Sequence, residues 1–486
     1  MTIQRPRLLL IDSYDSFTFN LAALCRTAIP ECSIHLIKND QLTIEDLLPL
    51  LKSFSAIIIG PGPGSPDLSQ DVGVSLVIEH GGQLKRLQVV KHGQVSKIIH
   101  TGRDNFKNLK QVTAVRYHSY HAEPDTKEIE SLAWADDGVE NGSVLMGGKH
   151  QTRPFWGVQY HPESVLTDDG GLHILCNFWS LAVEWSQKRD RCLSPLDSSA
   201  MKILGPSWPH LRLSSLSSSR STTTATSVTT SVVQLPGVNV LDICETLGVD
   251  DHRSPFILLD SAANPGRFSV IASLLSTSLQ SLYSVGDVFV TLKCGKSVQQ
   301  ALRGSQKEVA ENLMIVDLIR HDLHGVLGLD VHVKQFCEIE EYETVWQMAS
   351  VIEGRLPAGT RKDDLGWEVL RQSLPPGEFQ SGSMTGAPKK RSVEILQSLE
   401  DEDRSLYSGV FGYWCVGGGG DWSVAIRSCF KHELECQDSE VEHWVIGAGG
   451  AITALSDPQA EWDEILLKLK VVLGAFGAGN PRCNEC

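Results

Sequence analysis

The sequence predicts two domains of different class: an α/β domain on a parallel sheet over residues 7–185, and an α+β domain over 236–486. Three observations carry this. At the N-terminal end short apolar runs alternate with helix-spaced ones, the pattern of parallel strands covered on both faces. In the C-terminal half the strand-like runs FILLDS, FSVIAS, VFVTLK, GVFGYWCV, WSVAIRS and HWVIGAG show no regular alternation with helices. Between the two lies SSLSSSRSTTTATSVTTSVV (213–232), too poor in apolar surface to offset its ordering entropy, so 195–235 is expected to be a disordered linker. A length of 486 residues suits two or three domains at roughly 100–200 residues each.

RLLLID (7–12) is the first expected strand, FTFNLAALCRTA (17–28) a helix, SIHLIK (33–38) a second strand and IEDLLPLLKSF (44–54) a second helix. SAIIIG (55–60) is a third strand, ending in GPGPGSP. Ligands of such sheets bind beyond the C-terminal ends of the strands, where DSYDSF and GPGPGSP both fall. RYHSYH (116–121) is expected on a loop; His118 and His121 have no third ligand near them in sequence, which speaks against a metal pair.

PFWGVQYHPES (154–164) places His161 and Glu163 two apart at the end of a strand-like run, on one side of an extended chain. A carboxylate there holds an imidazole in one tautomer while the ring activates a thiol or hydroxyl. The nucleophile should sit on a glycine-flanked turn, and no Cys between Met1 and Trp185 does so. Cys25 and Cys176 fall inside predicted helices, and Ser75 lies in SLVIEH without a glycine elbow.

In the C-terminal half, AENLMIVDLIRHDL (310–323) spaces Leu313, Val316, Ile319 and Leu323 as a helix, with Glu311 at its start. DPQAEWDEILLKLKVVL (457–473) opens on Asp-Pro, a helix start. It sets Glu461, Glu464 and Lys468 on one face. Carboxylates from two helices suit a Mg²⁺ ion, and on spacing alone they equally suit a solvated face.

Net charge is −16 with no basic block, which excludes a nucleic-acid stripe. No apolar run approaches the ~18–20 residues of a membrane span. MTIQRPRLLLIDSYDS turns acidic at once, as a first strand does and a signal peptide does not. Twelve scattered cysteines are expected as buried free thiols of a reducing, cytoplasmic compartment. The terminal Cys483 and Cys486 lack a second pair for zinc.

IDSYDSFTFN (11–20), GPGPGSP (60–66), RYHSYH and WGVQYHPES (156–164) together resemble class I glutamine amidotransferases, over about residues 7–183. The resemblance implies a flavodoxin-like sheet and glutamine hydrolysis by a Cys thiolate on a GVCLG-like elbow, with ammonia passing to a synthase. His161 would be the base and Glu163 its orienter. Gly62 or Gly64 would lie at the oxyanion hole, and Ser119 and Tyr120 beside glutamine. This chain departs where PDLSQDVG (66–73) runs directly into VSLVIEHGGQLKRL (74–87). The family has a helix, a strand and the elbow Cys there. The domain is therefore expected to be incomplete near 73/74 and inactive as a glutaminase.

GSMTGAPKKRSVEILQSLE (382–400), SGVFGYW (408–414), VAIRS (424–428) and IGAGGAIT (446–453) resemble the chorismate-binding synthases. By that resemblance Arg427 pairs two-pronged with a substrate carboxylate, and the N–H groups of Gly447, Gly449 and Gly450 cradle another. Glu311 and Glu464 hold Mg²⁺, Glu461 binds it through water, and Thr385, Lys389, Tyr407 and Lys468 line the pocket. SMTGAPK, EIEEYETVWQMASVIEGRL (338–356) and the domain order resemble the fused aminodeoxychorismate synthase type of fungi and plants. That type takes chorismate and glutamine to 4-amino-4-deoxychorismate and glutamate. Anthranilate synthase is one alternative, and a non-catalytic chorismate- or partner-binding form another.

The second half departs as well. The PIKGT-like strand with its attacking Lys is absent, and VFVTLKCGKSVQQALRGSQKEVAENLM (288–314) runs straight into the Glu311 helix. Lys293, Lys296 and Lys307 lack its context, and the domain is expected to be incomplete near 304. GEFQS (377–381) interrupts a turn that should be tight. The expected protein is a monomer with both domains in one chain, binding neither nucleic acid nor membrane.

Overall fold

The computed structural model describes residues 5–62, 76–124, 127–209, 240–246, 256–259, 270–273, 302, 305–341, 346–355, 369, 382–401, 403–414, 420–430 and 444–476. The 73/74 and 304 junctions, the 213–232 tract, Gly64, Lys293, Lys296, GEFQS, Cys483 and Cys486 lie outside them.

The chain opens as its apolar runs dictate: β1 (Arg7–Asp12), α1 (Thr18–Ala28), β2 (Ser33–Lys38), α2 (Ile44–Leu51) and β3 (Ala56–Ile59). The three strands form a parallel sheet in the order β2-β1-β3. Successive side chains of a strand face opposite ways, and β1 uses both faces. Leu8 and Leu10 join Leu21, Ala22 and Cys25 of α1, while Leu9 joins Ile37 and Phe54 on the other side. Thr43 caps α2, its Oγ1 accepting from Asp46 N–H at 3.2 Å. On the outer edge Ile57 and Ile59 of β3 stay exposed.

Beyond β3 the alternation ends, and this differs from the single parallel sheet expected over 7–185. After α3 (Leu76–Glu79) come β4 (Gln83–His100), β5 (Val112–Glu123), β6 (Ile129–Asp136), β7 (Ser143–His150) and β8 (Trp156–Val158). They form an antiparallel sheet in the order β5-β4-β6-β7-β8. RYHSYH lies in β5, not on a loop, with Lys91 opposite His118 and Lys85 opposite His121. One face of this sheet buries Ile98, Val112, Ala114, Leu132 and Met146 with Phe106. Gly147 admits the Phe106 ring, which a Cβ there would meet at 2.8 Å.

The same sheet buries a charge. Arg116 is 0% exposed and pairs bidentately with Asp137, Nη1 to Oδ1 at 2.6 Å and Nη2 to Oδ2 at 3.1 Å. Burial works against the Asp137 carboxylate, but bonds from Arg116 and Asn141 outweigh it and hold its pKa below the usual value.

α4 (Gly170–Gln187) packs against α1, and α5 (Ser198–Leu204) falls inside the stretch expected as linker. Trp208 follows, buried against the β1–α1 core, its Nε1–H donating to His324 O at 3.2 Å. The second half continues with α6 (Val240–Thr246), the antiparallel pair β9 (Phe256–Leu259) and β10 (Val270–Ser273), and α7 (Gln306–Leu327). Then come the antiparallel pair β11 (Val331–Glu341) and β12 (Trp346–Gly354), α8 (Gly382–Thr385) and α9 (Lys389–Leu399). Two further antiparallel pairs follow, β13 (Val410–Trp414) with β14 (Gly420–Val424) and β15 (Cys429–Phe430) with β16 (Val445–Ile446). α10 (Pro458–Leu473) is the last helix among the described residues.

α7 joins the halves. Phe19 N–H donates to His321 Nδ1 at 3.1 Å, and Asn20 Nδ2–H to Asp317 O at 2.9 Å. From α9, Lys389 N–H reaches Ser16 Oγ at 3.1 Å. No helix of the described residues is long and apolar enough to cross a membrane.

Arg116→Ala strands the buried Asp137 carboxylate and should cost about 3–5 kcal/mol, read as a lower urea midpoint of the full chain. A loss under about 1 kcal/mol, the scale of an exposed pair, would remove the pair from the fold's supports.

Candidate active site

His161 and Glu163 are brought together by a turn, where a straight strand was expected. β8 stops at Val158, His161 N–H bonds Val115 O at 2.9 Å, and the chain then reverses through Pro162 and Glu163. His161 Nδ1–H donates to Glu163 Oε1 at 2.7 Å, with both side chains buried. Phe17 and Tyr117 meet the imidazole edge-on, at centroid distances of 5.7 and 5.1 Å. Burial alone would depress the His161 pKa. The charge and hydrogen bond of Glu163, then Asp15 and Asp317, outweigh it and push it up to about 9. Asp15 is itself pushed up to about 7, by burial first, with His161 opposing and Glu163 adding.

Cys25 and Cys32 are buried core thiols, and Cys176 lies at the edge of the core. Burial drives Cys25 far above its ordinary pKa, and takes Cys32 up to about 11 despite the Arg26 charge. Cys176 Sγ faces Ala28 O at 3.9 Å. A neutral thiol is a poor nucleophile.

Of the expected glutamine-side residues, Gly62 lies hard against the β1–α1 loop, where a Cβ would come within 2.6 Å of Ser13 Oγ's own Cβ. Ser119 Oγ is 3.3 Å from His92 Nε2, and Tyr120 O accepts from Gln159 Nε2 at 2.7 Å. His118 cannot offer a ligand nitrogen: Nε2 accepts from Arg116 Nε and Nδ1–H donates to Tyr120 O.

α7 reaches this turn directly, which the sequence reading missed. Asp317, 1% exposed, accepts from Ser164 Oγ, from Val165 N–H at 3.2 Å and from Arg320 Nη1 at 2.7 Å. Arg320 Nη1 also donates to Glu163 O at 3.1 Å. The available signal was Asp317 itself, a carboxylate set among the apolar positions of MIVDLI.

A second cluster forms where the N-terminal turn of α7 meets α10. Ser305 caps α7, accepting from Glu308 N–H at 3.3 Å, and Asp457 caps α10, accepting from Ala460 N–H at 2.9 Å. Glu311 faces Glu461 and Glu464 from the other helix. Burial first, then Glu308, pushes its pKa up to about 7, against the Lys307 charge. Lys307 Nζ pairs with Glu461 Oε1. Lys468 Nζ bonds Glu464 Oε1 at 2.9 Å and Gly449 O at 3.0 Å.

The glycine loop borders this cluster. A Cβ on Gly447 would meet the Tyr407 ring at 2.2 Å, one on Gly449 would meet its hydroxyl at 2.9 Å, and one on Gly450 would meet Glu461 Oε2 at 3.2 Å. Arg427 is half-buried with φ +48, and burial lowers its pKa against the Glu464 charge. Thr385 is buried at the end of α8. Lys389 is taken up elsewhere, its ammonium 2.6 Å from Asp322 Oδ2 of α7.

One further set of ligating atoms converges among the described residues: those of His80, Glu128 and His150 lie within 4.8 Å of one another. His150 Nδ1 accepts from Thr152 and Arg153 N–H, at 3.1 Å each. Its proton therefore sits on Nε2, the atom turned towards Glu128 at 3.7 Å, and a protonated nitrogen does not ligate.

Residues 74–181 match the family "Glutamine amidotransferase class-I", and residues 292–474 match "chorismate binding enzyme". Aminodeoxychorismate synthase of Saccharomyces cerevisiae is 42% identical over 181 residues, covering 35% of this chain and 22% of that protein. The chloroplastic aminodeoxychorismate synthase of Arabidopsis thaliana is 45% identical over 176 residues, 36% of this chain and 17% of that protein. The chain thus spans about a fifth of the length of these relatives. Aminodeoxychorismate synthase of Streptomyces griseus is 24% identical over 720 aligned positions, covering 98% of this chain and 96% of that protein. An alignment longer than the 486 residues here means that this relative carries stretches with no counterpart in the chain.

A raised His161 pKa makes the imidazolium a stabilising group, fully so below the unfolded value of 6.5 and no longer so once pH has risen through about 9. The His161 ring should titrate near 9 by NMR, and the melting temperature should fall between those limits. Glu163→Gln should bring the titration down. A wild-type ring titrating at 6.5 would contradict the carboxylate surround.

Proposed function

Because one polypeptide joins a class-I glutamine amidotransferase domain to a chorismate-binding domain, we propose that it is an aminodeoxychorismate synthase by descent, whose glutaminase centre lacks its nucleophile and whose synthase centre lacks the attacking Lys. The reaction takes chorismate and glutamine to 4-amino-4-deoxychorismate and glutamate, on the way to p-aminobenzoate. The carrying observation is the His161–Glu163 pair, buried and bonded at 2.7 Å, in a half whose three cysteines, Cys25, Cys32 and Cys176, lie in the helical core or at its edge.

In this reading glutamine lies along Ser119 and Tyr120, with its oxyanion hole at Gly62 or Gly64. An imidazolium held by three carboxylates would steady a neighbouring thiolate. Without that thiolate the positive ring has no substrate bond to act on, and glutamine is bound without turnover.

In the second half Arg427 would take one chorismate carboxylate, and the N–H groups of Gly447, Gly449 and Gly450 the other. Thr385, Tyr407 and Lys468 would border the ring. Tyr407 lies on the glycine loop, so a carboxylate reaching those N–H groups must displace its ring. The Glu311, Glu461 and Glu464 set is all oxygen and drawn from two helices, which suits Mg²⁺. When bound, that ion would neutralise the ring carboxylate and orient the leaving hydroxyl. The same reading takes the chain as a cytoplasmic monomer, and the free buried Cys25, Cys32 and Cys244 fit a reducing compartment.

Full-length protein should bind chorismate with measurable heat in the presence of Mg²⁺. Arg427→Ala should weaken that binding about tenfold or more, the scale of a lost charge-assisted pair. Glutamine should release no glutamate above a blank. Sustained glutamate release would refute the lost nucleophile, and absence of chorismate heat would end the chorismate-binding reading. With ammonium as donor, fluorescence of anthranilate in place of accumulating 4-amino-4-deoxychorismate would assign the anthranilate reaction instead.

A further inference from the structure

Resting on the reading of the α7–α10 cleft as a Mg²⁺ site, we infer that Lys307 is a tethered cation seated on Glu461, which a divalent ion must displace in order to bind. Lys307 lies in the first turn of α7, four residues before Glu311 and on the same side of the helix. The Ser305 cap fixes that turn. From there the ammonium crosses to the other helix and pairs with Glu461 Oε1.

Glu461 needs such a partner. It is 5% exposed, and among the described residues no backbone N–H or hydroxyl reaches either of its carboxylate oxygens. Lys468 is not placed to serve both acids, since its ammonium bonds Glu464 Oε1 and Gly449 O. Lys307 is therefore the cation on Glu461, as Lys468 is on Glu464.

An ammonium is a compact point charge with three donors, and it takes up carboxylate oxygens much as a small metal ion would. A divalent ion on Glu461 would sit a few ångströms from that ammonium. Like charges so close in a partly buried site repel strongly, so metal entry is an exchange and not an addition. Lys307 has the means to leave. Its side chain is 23% exposed, and its long stem can carry the head into water without moving the helix. The metal-free cleft is thus held together by its own cation, and its divalent-ion affinity is lowered by the cost of displacing it.

The test uses full-length protein and Mn²⁺, with free ion counted by electron paramagnetic resonance and no turnover required. Lys307→Gln and Lys307→Met should each bind Mn²⁺ at least tenfold more tightly than wild type. Adding Glu461→Gln to either should remove that gain. Metal-free Lys307→Gln should melt below wild type and recover when Mn²⁺ is added, which also reports that the variant folds. Unchanged or weaker Mn²⁺ affinity in both Lys307 variants, with Glu461→Gln still weakening wild-type binding, overturns the tethered cation and leaves the cleft reading standing. If wild type and every variant bind no Mn²⁺, both fall together.

Discussion

The buried carboxylate of Asp317 is the point on which the arrangement of the two halves depends. It stands mid-way along α7 and accepts from Ser164, Val165 and Arg320 at once. Arg320 then holds the carbonyl of Glu163. A carboxylate with 1% exposure is tolerable only when bonded on several sides. Those bonds lock the helix of the second half to the turn that carries the imidazole of the first. Phe19, Asn20 and Trp208 add three more hydrogen bonds along the same helix.

Charge sets how each centre behaves. Around His161, Glu163, Asp15 and Asp317 overcome burial and keep the ring cationic. A general base must be neutral to accept a proton, so this ring suits an ion pair with a thiolate better than proton removal from a hydroxyl. Around Glu461 acids are again in excess, with Lys307 and Lys468 as the counter-charges. Both clusters sit on the same helix or against it, one at its first turn and one at its middle.

What was legible in the sequence was local. β1 to β3, α7 and α10 follow from apolar spacing and from the Asp-Pro start, because periodicity is a property of consecutive residues. His161 and Glu163 were legible as a pair, although a turn, and not a strand, makes the contact. RYHSYH was misplaced because its polar run hides strand residues whose charges are buried in pairs, Arg116 with Asp137 foremost. Asp317 and Lys307 carried no role that spacing could assign. Their roles depend on partners more than a hundred residues away, Ser164 and Glu461, and no window of sequence holds both.

The Ser305 cap has a bearing on how such a gene can change. Its hydroxyl satisfies an N–H three residues on, so α7 draws its starting point from within itself. A helix capped in this way takes its first side-chain bond from its own cap residue and draws little on the chain upstream, here only the Leu302 carbonyl that accepts from Ser305 N–H at 3.3 Å. Coding segments that end at such a cap can be gained or lost while the downstream helix keeps its first turn, its acids and its grip on the other half. Self-capped helix starts are, in that sense, the natural seams of a modular gene.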